Sequence, residues 1–265
     1  MSYTLGFIGC GNMGGALVRS AVKTVGGENI AVCDHDKKKT QTLVSECGVW
    51  SVDIREIATS CKFVVLGVKP QNIEETLGGI KEQLKANAGV VVVSMAAGVS
   101  TRAIRSYIGA DLPVIRIMPN TPVAVGEGMI LYALAGVNLF VENEFLSLFS
   151  GAGKFDKLSE DKIDSGSALS GCSPAFVYAF AEALADGGVE CGLSREQASL
   201  YAAQTLRGAA EMLLTYGHPA PLKDAVCSPG GTTIAGMHAL EKAGFRGAVM
   251  DAVATAYKRT LELKK

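Results

Sequence analysis

Along the first 160 residues, short apolar runs alternate with stretches whose apolar residues recur every three or four positions. Tyr3 to Ile8, Asn29 to Cys33, Phe63 to Val68, Val90 to Ser94 and Pro113 to Met118 have the length and the β-branched content of strands. The run Val90-Val91-Val92-Val93 shows no polar alternation, so both faces of that strand are expected to be buried, as in a parallel sheet covered by helices. Strands that alternate with helical segments fold through crossover units, and this pattern predicts a doubly wound α/β sheet. Met129 to Ala135 and Gly153 to Leu158 are expected to add further strands.

Beyond about residue 163 the period changes. Ala, Leu and Gly recur at helical spacing over Ala168 to Gly187, Ser194 to Tyr216 and Phe245 to Leu263, so this half is expected to be all helix. Ser194 followed three residues later by Gln197 is a capping-box signature for one helix start. The expected division is 1–162 and 163–265, with no internal repeat and no low-complexity linker. Helices so rich in small residues approach one another closely. They bury their apolar faces better against a second copy than alone, so a homo-oligomer is expected.

Composition narrows the class. Apolar residues make up 48% of the chain but aromatics only 6%, with 31 Gly, as suits a Gly/Ala-rich α/β protein. Lys and Arg number 25 against 26 Asp and Glu, and the densest basic run, Lys37-Lys38-Lys39, reads as a solvated helix start, so no nucleic-acid partner is expected. No stretch reaches the ~18 uncharged apolar residues of a membrane span; the nearest, Gly166 to Ala181, carries Ser and Pro and stops at Glu182. Met1 leads straight into the strand-like Tyr3 to Ile8 without a basic region or cleavage site, so a cytoplasmic location and no membrane partner are expected. The seven cysteines, Cys10, Cys33, Cys47, Cys61, Cys172, Cys191 and Cys227, form no C-x-x-C pair and read as reduced, mostly buried small residues. The three His, at 35, 218 and 238, are too dispersed for a metal cluster.

Chemistry enters at the first strand-to-helix turn. Gly9-Cys10-Gly11-Asn12-Met13-Gly14 is a G-x-G-x-x-G fingerprint with a strand before it and a helix after it. Gly9 allows the tight turn, Gly11 lets the backbone approach a pyrophosphate, and Gly14 lets the helix pack on the strand. The helix start offers free N–H groups to phosphate. About 20 residues on, Asp34 ends the second strand, where a carboxylate accepts hydrogen bonds from the adenosine ribose and favours NADH. His35 and Lys37 could each reach a 2′-phosphate, so NADPH stays open as well.

Ligands on open α/β sheets bind at the carboxyl ends of the strands. Val68-Lys69-Pro70-Gln71, Ser94-Met95-Ala96-Ala97-Gly98 and the run from Arg116 through Pro119, Asn120 and Pro122 follow strands in that position. Val68, Lys69, Pro70, Ala96, Ala97, Gly98 and Asn120 are therefore expected beside the nicotinamide. In the helical half, the segment Leu222 to Ile234 reads as a loop. Its Ser228-Pro229-Gly230-Gly231-Thr232-Thr233 run gathers hydroxyls and free N–H groups without side-chain charge, which suits a small carboxylate or, equally, a plain helix cap.

These segments together resemble the pyrroline-5-carboxylate reductases. The resemblance runs from Gly6 to Gly14, through Val68-Lys69-Pro70, Ala96-Ala97-Gly98-Val99 and Met118 to Pro122, to Ser170-Gly171 with Pro174-Ala175. It is most specific from Leu222-Lys223-Asp224 to Ser228-Pro229-Gly230-Gly231-Thr232-Thr233-Ile234. It covers Leu5 to about Arg259 and implies an N-terminal Rossmann domain, a C-terminal helical dimerisation domain, and a homodimer or ring of dimers. It also implies reduction of the cyclic imine 1-pyrroline-5-carboxylate to proline by NADPH or NADH. By matching positions, Ser228, Gly230, Gly231 and Thr232 would hold the substrate carboxylate, Thr233 would bond the ring nitrogen, and Ser228 and Thr233 would be the catalytic pair. The loop of one subunit would then lie beside the other's nicotinamide. Thr215-Tyr216-Gly217 departs from bacterial relatives that place an acidic residue beside the equivalent of His218, so no carboxylate contact is carried over from there.

A protonated imine is already electrophilic, so positioning and electrostatics are expected to suffice; the sequence offers no obvious His–Asp or Tyr–Lys pair. Two rivals remain at this stage. A β-hydroxyacid dehydrogenase would resemble its family in a lysine at the first helix of the second domain, but Ser170-Gly171-Cys172-Ser173-Pro174 has none and Lys162 lies upstream. A nucleotide sensor without catalysis would have no use for a carboxylate-sized loop at Ser228 to Thr233.

Overall fold

A computed structural model describes residues 2–262. The chain forms two compact units. Among the described residues, one spans 2–171 and takes in the end of the last helix from Tyr257; the other is Cys172–Ala256.

The first unit alternates strand and helix: β1 (Tyr3–Ile8), α1 (Asn12–Val25), β2 (Ile30–Cys33), α2 (Lys37–Cys47), β3 (Trp50–Ser51), α3 (Ile54–Ser60), β4 (Cys61–Leu66), α4 (Ile73–Ala86), β5 (Val91–Ser94), α5 (Thr101–Ile108), β6 (Val114–Met118), β7 (Gly128–Ala135), α6 (Leu139–Leu148), β8 (Gly153–Lys157) and α7 (Ile163–Ser170). The strands lie in one sheet in the order β3-β2-β1-β4-β5-β6-β7-β8, and only the β6–β7 pairing is antiparallel. The chain winds outward from β1 to β2 and β3, then crosses back to β4 on the other side of β1. That reversal places the switch point, where such sheets bind ligands, at the carboxyl ends of β1 and β4.

Period-two alternation divides the core into two layers. Leu5, Phe7, Phe63, Val65, Val91 and Val93 pack on one face with Leu17, Val18 and Phe145. Ile8, Val64, Leu66, Val90 and Val92 pack on the other with Ile57, Leu77, Ile80 and Ile104. Every residue of the valine run is therefore buried, as its lack of alternation requires. Each fully buried Phe or Leu contributes on the order of 2 kcal/mol of transfer free energy.

Three details depart from expectation. β3 escaped the pattern because it is two residues long and at the sheet edge, with Trp50 46% exposed. β4 ends at Leu66 rather than Val68; the Gly67 amide makes the last ladder bond to β1, donating to the Ile8 carbonyl at 2.8 Å. Of the seven free cysteines only Cys10 and Cys61 are buried; Cys191 is exposed and the rest are half-buried.

The second unit is helical, with α8 (Ser173–Glu190), α9 (Arg195–Tyr216), α10 (Pro219–Ala225), α11 (Thr232–Lys242) and most of α12 (Phe245–Glu262). Ser194 caps α9 through a reciprocal capping box with Gln197, as its spacing predicts. The segment Leu222 to Ile234 is not one loop: α10 runs through Ala225 and α11 starts at Thr232, leaving Val226 to Gly231 between them. Small residues bring α8 and α9 close, a Cβ at Gly188 meeting that of Ala198 at 3.1 Å. Within one copy this unit buries only a small cluster around Ala185, Ala198 and Ala202. Tyr178, Leu200, Leu214, Tyr216 and Met250 are each more than half exposed. The helical stretch Glu160–Glu190 is long and apolar enough by composition to cross a membrane, with a mean hydropathy of 1.2 in its most apolar window. Helices that cover an apolar face with other protein pass the same test.

Candidate active site

The fingerprint turn has the geometry its glycines imply. Gly9 sits at φ +100°, where side-chain-bearing residues are strained, and a Cβ there would lie 2.6 Å from the backbone of Gly67. A Cβ on Gly14 would lie 2.2 Å from the Gly9 carbonyl oxygen, so the first turn of α1 presses directly on the strand end. A Cβ on Gly11 would meet nothing within 4 Å. Gly11 is the N-cap of α1 and, lacking a side chain, supplies no capping bond. The helix therefore begins with unsatisfied N–H groups and the positive end of its dipole, an arrangement that fits a pyrophosphate.

Gly67 is a site residue the motif did not reveal. Its own Cβ would fall 2.4 Å from the Gly9 carbonyl, so β1 and β4 can pass this closely only as a glycine pair. The signal was present as a lone Gly at the end of an apolar run, which more often marks an ordinary turn.

Asp34 is buried, and both its oxygens are engaged by backbone. Oδ2 accepts from the Cys10 amide at 2.6 Å and Oδ1 from the Asp36 amide at 2.9 Å, with His35 Nδ1 3.1 Å from Oδ1. Burial would raise its pKa, but the amides of Asp36 and Cys10, helped by Lys39 and His35, outweigh that and hold the carboxyl below its ordinary value. Asp34 thus ties the fingerprint turn to the end of β2. A carboxylate has about four acceptor sites, so capacity for a ribose hydroxyl remains. The His35 side chain is 93% exposed and Lys37 is exposed at the start of α2. Cys10 is buried with its thiol pushed up to about 12 by burial and by Asp34, which keeps it protonated at neutral pH.

The parallel register carries the other predicted segments to the same sheet edge. Val68, Lys69 and Pro70 follow β4, with Lys69 and Pro70 exposed and a short 3-10 turn starting at Pro70. Ala96, Ala97 and Gly98 follow β5, with Gly98 at φ +74° and the Ala96 amide donating to Ser94 Oγ at 3.3 Å. Asn120 follows β6 but is buried, and its side chain is committed to backbone. Oδ1 accepts from the Met129 amide at 2.8 Å, and Nδ2 donates to the Ser170 carbonyl at 2.9 Å.

Below this edge lies a charged network that sequence reasoning missed. Arg116 on β6, 4% exposed, donates to Asp164 of α7 at 2.8 Å and lies 3.5 Å from Glu160. Glu160 in turn accepts from the Thr101 amide and hydroxyl, both at 2.7 Å, at the start of α5. An Arg inside a strand and acidic residues tens of positions later carry no joint signal until the fold pairs them.

In the second unit, the turn before α11 gathers the remaining predicted residues. Gly230 takes φ +69°, the Gly231 amide donates to the Ser228 carbonyl at 3.0 Å, and α11 starts at Thr232 from Gly231 without a side-chain cap. A Cβ on Gly231 would lie 2.3 Å from Ser228 Oγ, so only glycine allows that hydroxyl its place. Ser228, Gly230, Thr232 and Thr233 are exposed. Lys223 pairs with Asp224 just upstream. Among the described residues no cluster of three or more His, Cys, Asp or Glu could hold a metal ion.

Known proteins share this arrangement. Residues 160–263 match the family described as pyrroline-5-carboxylate reductase dimerisation, and residues 4–98 match NADP oxidoreductase coenzyme F420-dependent. The pyrroline-5-carboxylate reductase of Pisum sativum is 40% identical over 266 residues, spanning 99% of this chain and 96% of that one. Among solved structures, a pyrroline-5-carboxylate reductase from Coxiella burnetii superposes with a TM-score of 0.91 at 32% identity over 100% of both chains. The Plasmodium falciparum pyrroline carboxylate reductase with NADP bound gives 0.88 at 32% identity, covering 99% of this chain and 98% of that one. Similarity of this extent, over both units and at such identity, places the chain in the pyrroline-5-carboxylate reductase family.

Proposed function

We propose that this protein is an NAD(P)H-dependent imine reductase that converts 1-pyrroline-5-carboxylate to L-proline, the last step of proline biosynthesis. The observation that carries the proposal is full-length kinship to reductases of that name, joined to a fingerprint turn whose open side at Gly11 leaves room for a pyrophosphate.

When bound, the nicotinamide supplies a hydride to the imine carbon. The chain's own residues bind and orient. Amides at the start of α1, from Gly11 to Gly14, hold the pyrophosphate, with Cys10 kept in place by Asp34. Asp34, His35 and Lys37 meet the adenosine ribose, and both NADH and NADPH are accommodated in this reading. Val68 to Pro70 and Ala96 to Gly98 line the dinucleotide at the strand ends. The amides of Gly230 and Gly231, with Ser228 Oγ and Thr232, hold the substrate carboxylate at the uncapped start of α11. The Thr233 hydroxyl orients the ring nitrogen. An imine that arrives protonated requires no strong acid from the protein, so positioning supplies most of the rate.

The protein works as a homo-oligomer, a dimer or a ring of dimers, in which the Ser228–Thr233 loop of one subunit serves its neighbour's nicotinamide. Exposed apolar side chains on the helical unit support this assembly. We place it in the cytoplasm, acting on a small molecule and on neither membrane nor nucleic acid.

The test is oxidation of NADH and of NADPH, followed by nicotinamide absorbance, with and without 1-pyrroline-5-carboxylate. Imine-dependent oxidation with formation of proline establishes the reaction. Folded protein that binds nucleotide but shows no imine-dependent oxidation with either cofactor would instead be a sensor or act on another substrate.

A further inference from the structure

Residues 95–100 join the end of β5 to the start of α5, and of the six only Ser100 has a polar side chain. The segment is therefore placed by its backbone bonds, by the packing of Ala96 and Val99 on the core, and by what grips its ends. At the entry the bonds are long: the Met95 amide donates to the Leu66 carbonyl and the Ala96 amide to Ser94 Oγ, each at 3.3 Å. The turn, with Gly98 at φ +74°, closes through the Val99 amide on the Ala96 carbonyl at 3.4 Å. The exit is gripped harder. Half-buried Glu160 reaches Thr101, the first residue of α5, with both carboxylate oxygens, Oε1 on the amide and Oε2 on the hydroxyl, each at 2.7 Å. Bonds to an ionised acceptor are about twice as strong as neutral ones. Glu160 is itself set by Arg116, whose guanidinium lies 3.5 Å from Oε1 and is held by Asp164 at 2.8 Å. One guanidinium cannot balance two carboxylates; the partial positive charge at the start of α5 offsets the second.

We infer that Glu160 is a positioning residue for the dinucleotide: by clamping Thr101 it pins the exit of the 95–100 segment and holds Ala96, Ala97 and Gly98 in the conformation that lines the cofactor. The inference rests on the dinucleotide reading above. Glu160, Thr101, Arg116, Asp164 and the segment they hold all belong to the first unit. Glu160 acts through Thr101, the strongest polar anchor the segment has. Without the clamp the segment keeps its longer, neutral bonds and spends part of its time in other conformations. Cofactor affinity then falls in proportion to the fraction of molecules in the competent one.

The experiment compares wild type with Glu160→Ala, Glu160→Gln and Asp164→Asn. Dissociation constants for NADH and NADPH are measured by isothermal titration calorimetry, and thermal melts record stability. Glu160→Ala should raise both constants about tenfold, as for a segment held correctly about a tenth of the time. Glu160→Gln keeps an acceptor for the Thr101 amide and should fall between that variant and wild type. Asp164→Asn weakens the same Arg116 network without touching Thr101, so it should melt earlier yet bind both cofactors as wild type does. Wild-type cofactor affinity in Glu160→Ala would overturn the inference. An equal loss of affinity in Asp164→Asn would overturn it too, because the effect would then be a general loosening of the unit. Should Glu160→Ala fail to fold, Thr101→Val removes only the hydroxyl bond: weaker cofactor binding supports the clamp, and wild-type binding overturns it. Wild-type protein that binds neither cofactor would sink the dinucleotide reading itself, a separate outcome of the same titration.

Discussion

The glycines of the fingerprint turn do different work, and substitution separates them. Gly14→Ala places a methyl group 2.2 Å from the Gly9 carbonyl oxygen, a backbone atom that cannot move aside cheaply. Overpacking of this kind costs about 1–3 kcal/mol, so the variant should melt earlier and bind cofactor poorly. Gly11→Ala meets no protein atom, so its melting temperature should match wild type while cofactor affinity falls about tenfold or more, about 1.4 kcal/mol. Thermal melts beside cofactor titrations check both expectations; equal melting losses in the two variants would contradict them. Asp34 makes a pH-dependent contribution. Its carboxyl is held below the ordinary 3.8, so it stabilises the folded state at every pH above that value and loses the contribution as pH falls through its lower, folded pKa. The stability margin of wild type over Asp34→Asn should be full at neutral pH and shrink as the pH drops below 3.8, which denaturant titrations at several pH values measure. The glycine spacing and the acidic residue at the end of β2 were legible because each acts within its own stretch of chain. That the Asp34 carboxylate turns inward to the Cys10 amide was not, since the contact depends on β1 and β2 lying side by side.

Elements, too, differ in how much of them local chemistry specifies. The α9 start follows from Ser194 and Gln197 alone, and the burial of β5 on both faces follows from its unbroken valines. The Asn120 side chain, by contrast, reaches the Ser170 carbonyl across 50 residues of chain. The Arg116 network is of similar range, joining β6 to α7 across 48 residues. Removing one partner of a buried ion pair strands the other charge, which typically costs about 3–5 kcal/mol. Asp164→Ala should therefore lower unfolding free energy on that scale in denaturant titration. Asp164→Asn, which still offers an acceptor to Arg116, should cost clearly less, and equal losses would argue that the charge is unimportant.

For the molecule as a whole, the two units differ in self-sufficiency. The first buries complete layers on both faces of its sheet, whereas the second, in one copy, leaves Leu200, Leu214, Tyr216 and Met250 open to water. Exposed apolar area of that density marks a surface meant for other protein. The paired substitutions Leu214→Glu and Met250→Glu should shift the protein from oligomer to monomer in light scattering and abolish imine turnover while preserving cofactor binding. An unchanged mass would mean that these side chains lie outside the interface.

Short-range order in the chain was enough to specify the alternation of strand and helix, the glycine fingerprint turn between β1 and α1 and the small-residue helices of the second unit. Each depends on periodicity or on residues a few positions apart, where propensity and sterics act directly. Folding in three dimensions decided the rest. It set β7 antiparallel in an otherwise parallel sheet, paired Gly9 with Gly67, sent both oxygens of Asp34 to backbone and enclosed the Arg116–Asp164 charges. These depend on which elements become neighbours, and a contact between residues tens of positions apart leaves no periodic trace in a single chain.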